Sequence, residues 1–177
     1  MLTIPPSFNA PTHPLHSHPV PLKSFNRARI TFRGPWTTRY DQGGLLLHLK
    51  HSHQQDRWLK TGVEFYLDQV FLSTVATQTW SDWSVTPPAD ALGKKTIEVR
   101  REGDELGTSL WVYELVLGND GEVKERRPLR EVTWFFAEED GWKIEVSAMA
   151  ARPASKDTVV GPPELVVSFE GAELDIA

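Results

Sequence analysis

The sequence predicts an all-β fold, either a sandwich or a barrel, and three observations lead to this prediction. From Phe25 onward, short apolar runs are interrupted by turn-forming residues roughly every 8–15 positions. Within the runs, apolar and polar residues alternate, as they do in strands with one buried face. No window of about 11 residues or more keeps a 3.6-residue period, so no long amphipathic helix is expected, and only residues 89–92 suggest a short helical turn.

The predicted turns are rich in glycine, proline, aspartate and asparagine, which favour tight backbone geometry. They lie at residues 33–35, 41–44, 87–88, 103–104, 118–121, 140–141 and 161–163. Residues 135–142 are predicted to form a hairpin, because Asp140 and Gly141 supply the positive φ angles that a tight connection needs.

Alternation within each run predicts which side chains share a face, because successive side chains of a strand point to opposite sides. Three runs each place a row of apolar residues on one face: Leu45, Leu47 and Leu49; Trp142, Ile144, Val146 and Ala148; Leu165, Val167 and Phe169. In the run 58–66, the predicted core face carries Leu59, Thr61, Val63 and Phe65. Its predicted free face carries Trp58, Lys60, Gly62, Glu64 and Tyr66.

Length and composition fit one globular domain covering residues 1–177, with residues 1–24 as an arm rich in proline and histidine. The apolar fraction of 40% is that of a folded chain, and no segment is long and apolar enough to span a membrane. The net charge of −5 offers no attraction for nucleic acids or anionic membranes, so neither is expected as a partner.

The sequence contains no cysteine, which excludes disulfides, thiolate metal sites and a cysteine nucleophile. Its first residues lack the basic start and apolar stretch of a secretory signal, so we expect an intracellular, cytoplasmic protein. Histidines cluster at 13, 16 and 18 and at 48, 51 and 53, but in an arm and an exposed loop. We therefore expect no physiological metal and no cofactor.

The predicted free face of residues 58–64 is the strongest candidate for a binding site. Trp58, Lys60, Gly62 and Glu64 follow one another at two-residue steps of roughly 7 Å along a strand, so Gly62 separates the cation from the carboxylate. An aromatic ring, a cation and an acceptor form the usual combination for holding a sugar or polyol. The alternative is an ordinary solvated face with a Lys–Glu pair.

Two neighbouring segments extend this candidate site. Trp80 to Ser84 places Asp82 and Trp83 close together, either as the rim of a pocket or as a structural corner in which Asp82 caps backbone amides. Tyr40 and Gln42 precede a glycine pair, which either permits a close backbone approach or simply forms a tight turn into a strand. No phosphate loop, nucleophile elbow or metalloprotease motif is present.

A family resemblance rests on four sequence pieces that occur in order. They are Tyr40-Asp41-Gln42-Gly43-Gly44-Leu45, Trp58-Leu59-Lys60-Thr61-Gly62-Val63-Glu64, Leu72-Ser73 and Ser81-Asp82-Trp83-Ser84. The chain resembles the uncharacterised domain family that includes the yeast "regulation of enolase" protein, and its opening at Phe8 is similar to the fungal branch. The resemblance implies a concanavalin A-like jelly roll of two antiparallel sheets, one of them concave. It transfers no function, because one fold serves many activities.

Three functions follow as hypotheses. The first is a carbohydrate- or polyol-binding protein whose ligand-binding residues are Tyr40, Gln42, Trp58, Lys60, Glu64, Asp82 and Trp83. The second is an enzyme that uses the same cleft, with Glu64 as acid or base and Lys60 setting its charge state. The third is a regulator of central metabolism, linked to enolase, whose exposed tryptophans anchor a protein partner.

Overall fold

The computed structural model describes residues 10–153 and 164–177, and these residues form two facing antiparallel sheets. The strands are β1 Thr12–Pro14, β2 Val20–Pro21, β3 Phe25–Arg33, β4 Gln42–Lys50, β5 Arg57–Tyr66, β6 Gln69–Thr77, β7 Ser81–Thr86, β8 Lys95–Asp104, β9 Gly107–Leu117, β10 Val123–Val132, β11 Lys143–Ala151 and β12 Ser168–Ile176. A short 3-10 turn covers Leu22–Ser24. No helix among the described residues is long and apolar enough to cross a membrane.

The larger sheet has the order β1-β11-β4-β5-β6-β7, with β2 also paired to β11, and the smaller sheet has the order β10-β9-β8-β3-β12. Neither sheet closes on itself, so of the two predicted architectures the sandwich is confirmed and the barrel is not. The first strands of the proline- and histidine-rich arm are part of this fold, because β1 and β2 both pair with β11.

The core lies between the sheets and is lined by the faces that alternation predicts. The larger sheet contributes Leu45, Leu47, Leu49, Leu59, Val63, Ile144, Val146 and Ala148, all nearly inaccessible to solvent. The smaller sheet contributes Ala28, Ile30, Phe32, Ile97, Val99, Leu110 and Val112. Burial of these side chains drives the two sheets together, at roughly 25 cal/mol for each Å² of apolar surface removed from water.

The hairpin predicted at residues 135–142 is wrong. β10 ends at Val132 in the smaller sheet and β11 begins at Lys143 in the larger one, so residues 133–142 cross between the sheets. Phe135 and Phe136 are buried in this crossing rather than in a strand. A tight turn does occur there, since Gly141 has a φ of 78°, but a local turn signal does not say which sheet the chain enters next.

The glycines at 43 and 44 lie inside β4 and not in a turn before it. Gly44 stands opposite Gly62 of β5, and a Cβ on either residue would lie 2.1 Å from a carbonyl oxygen of the other strand. Both have φ angles above 150° that other residues rarely adopt. The close backbone approach expected from the glycine pair is therefore confirmed, and its partner is β5.

Residues 89–92 form no helix, and the turn predicted at 161–163 lies outside the described residues. The connection that contains residues 87–94 instead runs from β7 in the larger sheet to β8 in the smaller one. Buried Glu114 holds it, accepting a hydrogen bond from the backbone N–H of Ala89 at 2.9 Å.

Candidate functional site

A chain of hydrogen bonds crosses four strands on the outer face of the larger sheet. It links Gln42 of β4, Lys60 and Glu64 of β5, Ser73 of β6 and Trp83 of β7, and we call these five residues the polar cluster. The strand register explains the meeting, because Gln42 pairs with Glu64 across β4 and β5. Ser73 stands opposite Gly62, whose missing side chain leaves Glu64 free to reach it.

Glu64 is the centre of the polar cluster. Ser73 Oγ donates to Glu64 Oε2 at 2.7 Å, and the Lys60 ammonium lies 3.4 Å from the same oxygen. Lys60 Nζ also donates to the side-chain oxygen of Gln42, and Trp83 Nε1 donates to Ser73 Oγ at 3.1 Å. The hydroxyl of Ser73 therefore relays a hydrogen bond from the indole ring to the carboxylate.

The two charges of the polar cluster are largely removed from water. The side chain of Glu64 is 7% exposed and that of Lys60 is 14% exposed. Burial lowers the pKa of Lys60, although the neighbouring Glu64 carboxylate opposes the shift. The desolvation free energy of a buried ion pair exceeds its Coulombic attraction unless further hydrogen bonds satisfy both groups. The Lys60–Glu64 pair is therefore expected to destabilise the fold rather than stabilise it.

The polar cluster retains capacity for further hydrogen bonds. Lys60 has three N–H groups and uses two on protein atoms, and Glu64 Oε1 has no hydrogen-bond partner within 10–153 or 164–177. A cavity of about 10 Å³ beside them is lined by Gly62, Ser73 and Met149 and has room for about one water-sized group.

Aromatic side chains border one end of the polar cluster. Tyr40 stacks on Tyr66 with ring centroids 5.8 Å apart, and Tyr66 meets Trp83 edge to face at 5.5 Å. The guanidinium of Arg39 lies over the Tyr40 ring at 4.6 Å, and we call Tyr40, Tyr66 and Trp83 the aromatic rim. Trp83 is 44% exposed, so part of its indole ring is accessible from solvent.

A buried ion pair fixes the loop that carries Tyr40. Asp41 is fully buried and accepts from Arg152 Nε at 2.6 Å, from Arg152 Nη2 at 2.8 Å, and from the backbone N–H groups of Thr37 and Thr38. Burial alone would raise the pKa of Asp41, but these hydrogen bonds outweigh it and hold the pKa below its usual value. The clamp supports the positive φ of 68° at Tyr40.

Five of the seven predicted ligand-binding residues come together. Gln42, Lys60, Glu64 and Trp83 belong to the polar cluster, and Tyr40 reaches it through the aromatic rim. The geometry thus assembles the core of the predicted site, while binding itself stays a prediction.

Trp58 does not offer the open ring that the sequence suggested. It lies on the predicted face but is only 8% exposed, because it packs with Leu46, Val75 and Met149 in a small apolar cluster on that face. The outer face of β5 is therefore not free, and truncating Trp58 would create a cavity rather than remove a contact with a ligand. Of the two tryptophans considered for stacking on a ligand, only Trp83 has an accessible ring.

Asp82 is separated from the polar cluster. It neighbours Trp83 in β7, so its side chain points to the opposite side of the sheet, where it forms an ion pair with Arg130 of β10 in the smaller sheet. This contact links the two sheets, so Asp82 has a structural role, although it lies inside a strand and does not form the amide-capping corner that was the alternative for this segment.

Ser73 and Tyr66 are the members of the site that sequence reasoning did not select. Both appear in the sequence patterns, Ser73 in the Leu72-Ser73 piece and Tyr66 on the free face of β5, but nothing local indicates that Ser73 meets Glu64. That contact depends on the register between β5 and β6.

The histidines occupy separate places. His48 lies 2.9 Å from Asp56, and His51 packs on the ring of Trp142 at 5.1 Å. Within the described ranges, no group of three or more histidine, aspartate or glutamate side chains is placed to hold a metal ion.

Fold and site together define a two-sheet antiparallel β-sandwich protein with a charged pair set into the outer face of its larger sheet. Residues 7–174 match the family described as protein of unknown function (DUF1349), and the chain belongs to that family. The resemblance drawn from the sequence pieces is therefore confirmed.

Two curated proteins and one solved structure are similar to this chain. An uncharacterised protein of Emericella nidulans is 41% identical over 165 residues, which cover 92% of this chain and 78% of that protein. "Regulation of enolase protein 1" of Saccharomyces cerevisiae is 35% identical over 57 residues, covering 32% of this chain and 27% of that protein. The crystal structure of a functionally unknown yeast protein superposes with a TM-score of 0.61 at 22% identity, covering 87% of this chain and 70% of that one, and it supports the fold alone.

Proposed function

We propose that the outer face of the larger sheet binds a small polyhydroxylated molecule of the sugar or polyol class at the polar cluster. One observation carries this proposal: Lys60 and Glu64 lie side by side, nearly buried, and beside a small cavity one N–H and one carboxylate oxygen have no hydrogen-bond partner among residues 10–153 and 164–177. We expect an ion pair that served stability alone to have all its hydrogen-bond donors and acceptors satisfied by other protein groups.

A hydroxyl group fits this arrangement because it both donates and accepts a hydrogen bond. It would donate to Glu64 Oε1 and accept from the third N–H of Lys60. The site then remains electrically balanced, since a neutral ligand adds no charge to the existing pair. An anion would meet Glu64 and a cation would meet Lys60, so a neutral polyol is favoured over either.

The aromatic rim supplies the second half of the recognition. The cavity has room for about one hydroxyl, so the rest of the ligand would lie outside it, and Trp83, bonded to the cavity residue Ser73, with its neighbour Tyr66 offers the adjoining aromatic surface. Their rings offer apolar faces to the C–H surface of a sugar while the polar cluster takes the hydroxyl.

The first test is a thermal-shift screen against mono- and oligosaccharides, sugar phosphates and polyols, with tryptophan emission read in parallel. A ligand present at 100 times its Kd should stabilise the protein by about 2.7 kcal/mol. Binding beside Trp83 should also change its emission, and Trp83→Phe should abolish that change. Absence of any stabilising compound across the screen would count against the proposal.

A matched pair of variants locates the binding site. Glu64→Gln removes a charged acceptor and should weaken binding about tenfold or more. Glu102→Gln makes the same change in the smaller sheet, at a carboxylate that is 36% exposed, and should leave affinity unchanged. Equal effects of the two variants would contradict the assignment.

An enzyme at the same site is a distinct version of the proposal, favoured by the nearly buried carboxylate of Glu64, which lines the cavity and could accept a proton from a bound ligand. Its signature differs from that of simple binding. Glu64→Gln should then leave the affinity of a bound compound unchanged and abolish its conversion, measured by mass spectrometry of the reaction mixture. Continued conversion by the variant would end this version.

A protein-interaction role is the second candidate, favoured by Trp80, which is 81% exposed beside the site. The yeast relative is named for regulation of enolase, which makes purified enolase the natural probe. If this role holds, enolase should be retained on the immobilised protein and lost with Trp80→Ala. No retention at micromolar concentrations would argue against it.

A further inference from the structure

The outer edges of the two sheets differ in how they are protected against pairing with another chain. An exposed edge strand presents unpaired N–H and C=O groups, and proteins protect such edges with short strands, proline, charge or irregular pairing. At one edge of the larger sheet, β1 and β2 are only three and two residues long and each ends in proline.

Both edges of the smaller sheet are also protected. β10 carries Lys124, Glu125, Arg126, Arg127 and Pro128, and its pairing with β9 is interrupted by register shifts. β12 carries Glu170, Glu173 and Asp175, and its pairing with β3 is likewise interrupted. Neither edge offers a regular, uncharged row of backbone groups to another strand.

β7, the remaining edge, lacks these features. Its six residues, Ser81–Thr86, pair with β6 in unbroken register and include no proline, lysine or arginine. Its one charged residue, Asp82, is already paired with Arg130. Apolar side chains stand open along it, with Trp80 81%, Trp83 44% and Val85 39% exposed.

We infer that β7 is a docking edge, and that its partner is β7 of a second copy of this chain, added antiparallel to extend the larger sheet across a two-fold axis. An extended strand satisfies a row of outward N–H and C=O groups that would otherwise bond only to water. A two-fold contact uses the same surface on both copies, so the strand must be complementary to itself.

The sequence of β7 meets that requirement in a register centred on Trp83. Trp83 then stands opposite Trp83 of the second copy, and aromatic cross-strand pairs are among the favourable ones. Asp82 stands opposite Ser84, and Ser81 opposite Val85, so no like charges meet. A register centred on Asp82 would instead set two carboxylates face to face, which is unfavourable.

This pairing would bring a residue of the second copy to the candidate site. Trp83 of each copy belongs to the aromatic rim, so the two rims would meet at the axis and form a continuous aromatic surface between two polar clusters. The inference rests on the edge strand alone and holds whether or not the polar cluster binds a polyol.

The experiment measures the mass of the full-length chain by sedimentation and light scattering at concentrations from about 1 to 200 µM, a range that brackets a micromolar Kd. The expected mass rises toward about 40 kDa, twice the 20.0 kDa of one chain. Hydrogen exchange of the β7 amides should slow with rising concentration, since their protection would come from the second copy.

Two variants at Ser84 test the register. Ser84→Asp places a carboxylate opposite Asp82 at two symmetric positions and should raise the dimer Kd about tenfold or more. Ser84→Asn has the same shape without the charge and should leave Kd within about twofold of the unmodified chain. Both lose the same weak hydroxyl contact with the backbone of Thr74, so each controls for the other.

Three results would overturn the inference. The chain could stay monomeric throughout the concentration range, or it could dimerise with equal Kd values for Ser84→Asp and Ser84→Asn. The β7 amides could also become protected only on addition of a foreign protein or extended peptide, which would assign the edge to a partner strand rather than to a second copy.

Discussion

Each sheet of this sandwich buries one glutamate on its outer face, and the two glutamates differ in the number of partners that their carboxylates have. Glu64 lies in the larger sheet, where its carboxylate contacts one cation, Lys60, and one hydroxyl, that of Ser73. Glu98 lies in the smaller sheet, fully buried, with Arg126 at 2.8 Å, Arg27 at 3.4 Å and Arg100 at 3.6 Å. Three arginines surround the carboxylate of Glu98, whereas Glu64 Oε1 lies beside a cavity with no hydrogen-bond partner in the part of the chain that the structure describes.

The difference separates a structural clamp from a candidate site. Burial marks both carboxylates equally, so burial alone does not identify function. Unused hydrogen-bonding capacity next to accessible space is the better indicator of a site for a polar ligand, because such a ligand needs donors and acceptors that the protein has left unsatisfied. Glu98 ties three strands of the smaller sheet together, and Glu64 is the carboxylate to which we assign the proposed binding role.

The largest effect is expected at a third buried carboxylate, Asp41, which is saturated like Glu98. Asp41→Asn leaves the Arg152 guanidinium, 7% exposed, without its carboxylate, and should lower the free energy of unfolding by about 3–5 kcal/mol. Urea denaturation measures this loss. A change below about 1 kcal/mol would show that the clamp does not hold the Tyr40 loop.

The next largest effect is expected for Glu98→Gln, which should lower the free energy of unfolding by about 2–3 kcal/mol. The loss is smaller than for Asp41, because the three arginines are each about one-third exposed and regain hydration once the carboxylate is gone. Ligand binding at the polar cluster should be unaffected. If Glu98→Gln proved neutral, Glu98 would not be the clamp that this comparison requires.

The pH dependence of stability gives a graded version of the same test. The pKa of Asp41 is lower in the folded protein than in the unfolded chain, so its contribution is complete above about pH 4 and is lost as the pH falls through the lowered value. Unfolding measured between pH 7 and pH 3 should show a smaller acid-induced loss in Asp41→Asn than in the unmodified chain. Parallel curves would contradict this assignment.

The smallest effect is expected at Ser73. Ser73→Ala removes the hydroxyl between Trp83 and Glu64 and should cost about 0.5–1.5 kcal/mol, because water can replace it at the partly exposed indole. Fluorescence checks the contact directly: the emission of Trp83 should shift when its N–H loses Ser73. An unchanged spectrum would place Trp83 outside the polar cluster.

Alternation predicted the fold well, because it is a property of each strand. The rows at Leu45 and Ile144 point inward as expected, and so does the Leu59 face of β5. It could not predict that Trp58 is covered, since Leu46, Val75 and Met149 come from three other strands. The hairpin prediction for residues 135–142 failed for a similar reason. Local sequence does not determine which sheet the next strand joins.

The candidate site was predicted in part. Lys60 and Glu64 share a face by spacing, and Gln42 and Trp83 came from neighbouring pieces of the same sequence pattern. Alternation also carried a signal against Asp82, because adjacent residues of one strand cannot point into the same cavity. The contact between Ser73 and Glu64 required the register of β5 and β6, which only the folded sheet reveals.

The most direct test of the central claim needs no ligand: the stabilities of Lys60→Met/Glu64→Gln and of Glu98→Gln are compared by urea denaturation. A charged pair kept for binding is a cost to the fold, so its neutral replacement should leave stability within about 1 kcal/mol of the unmodified chain or raise it. Glu98→Gln should be less stable by about 2–3 kcal/mol in the same experiment. A double variant that loses as much stability as Glu98→Gln would show that both glutamates serve the fold alone.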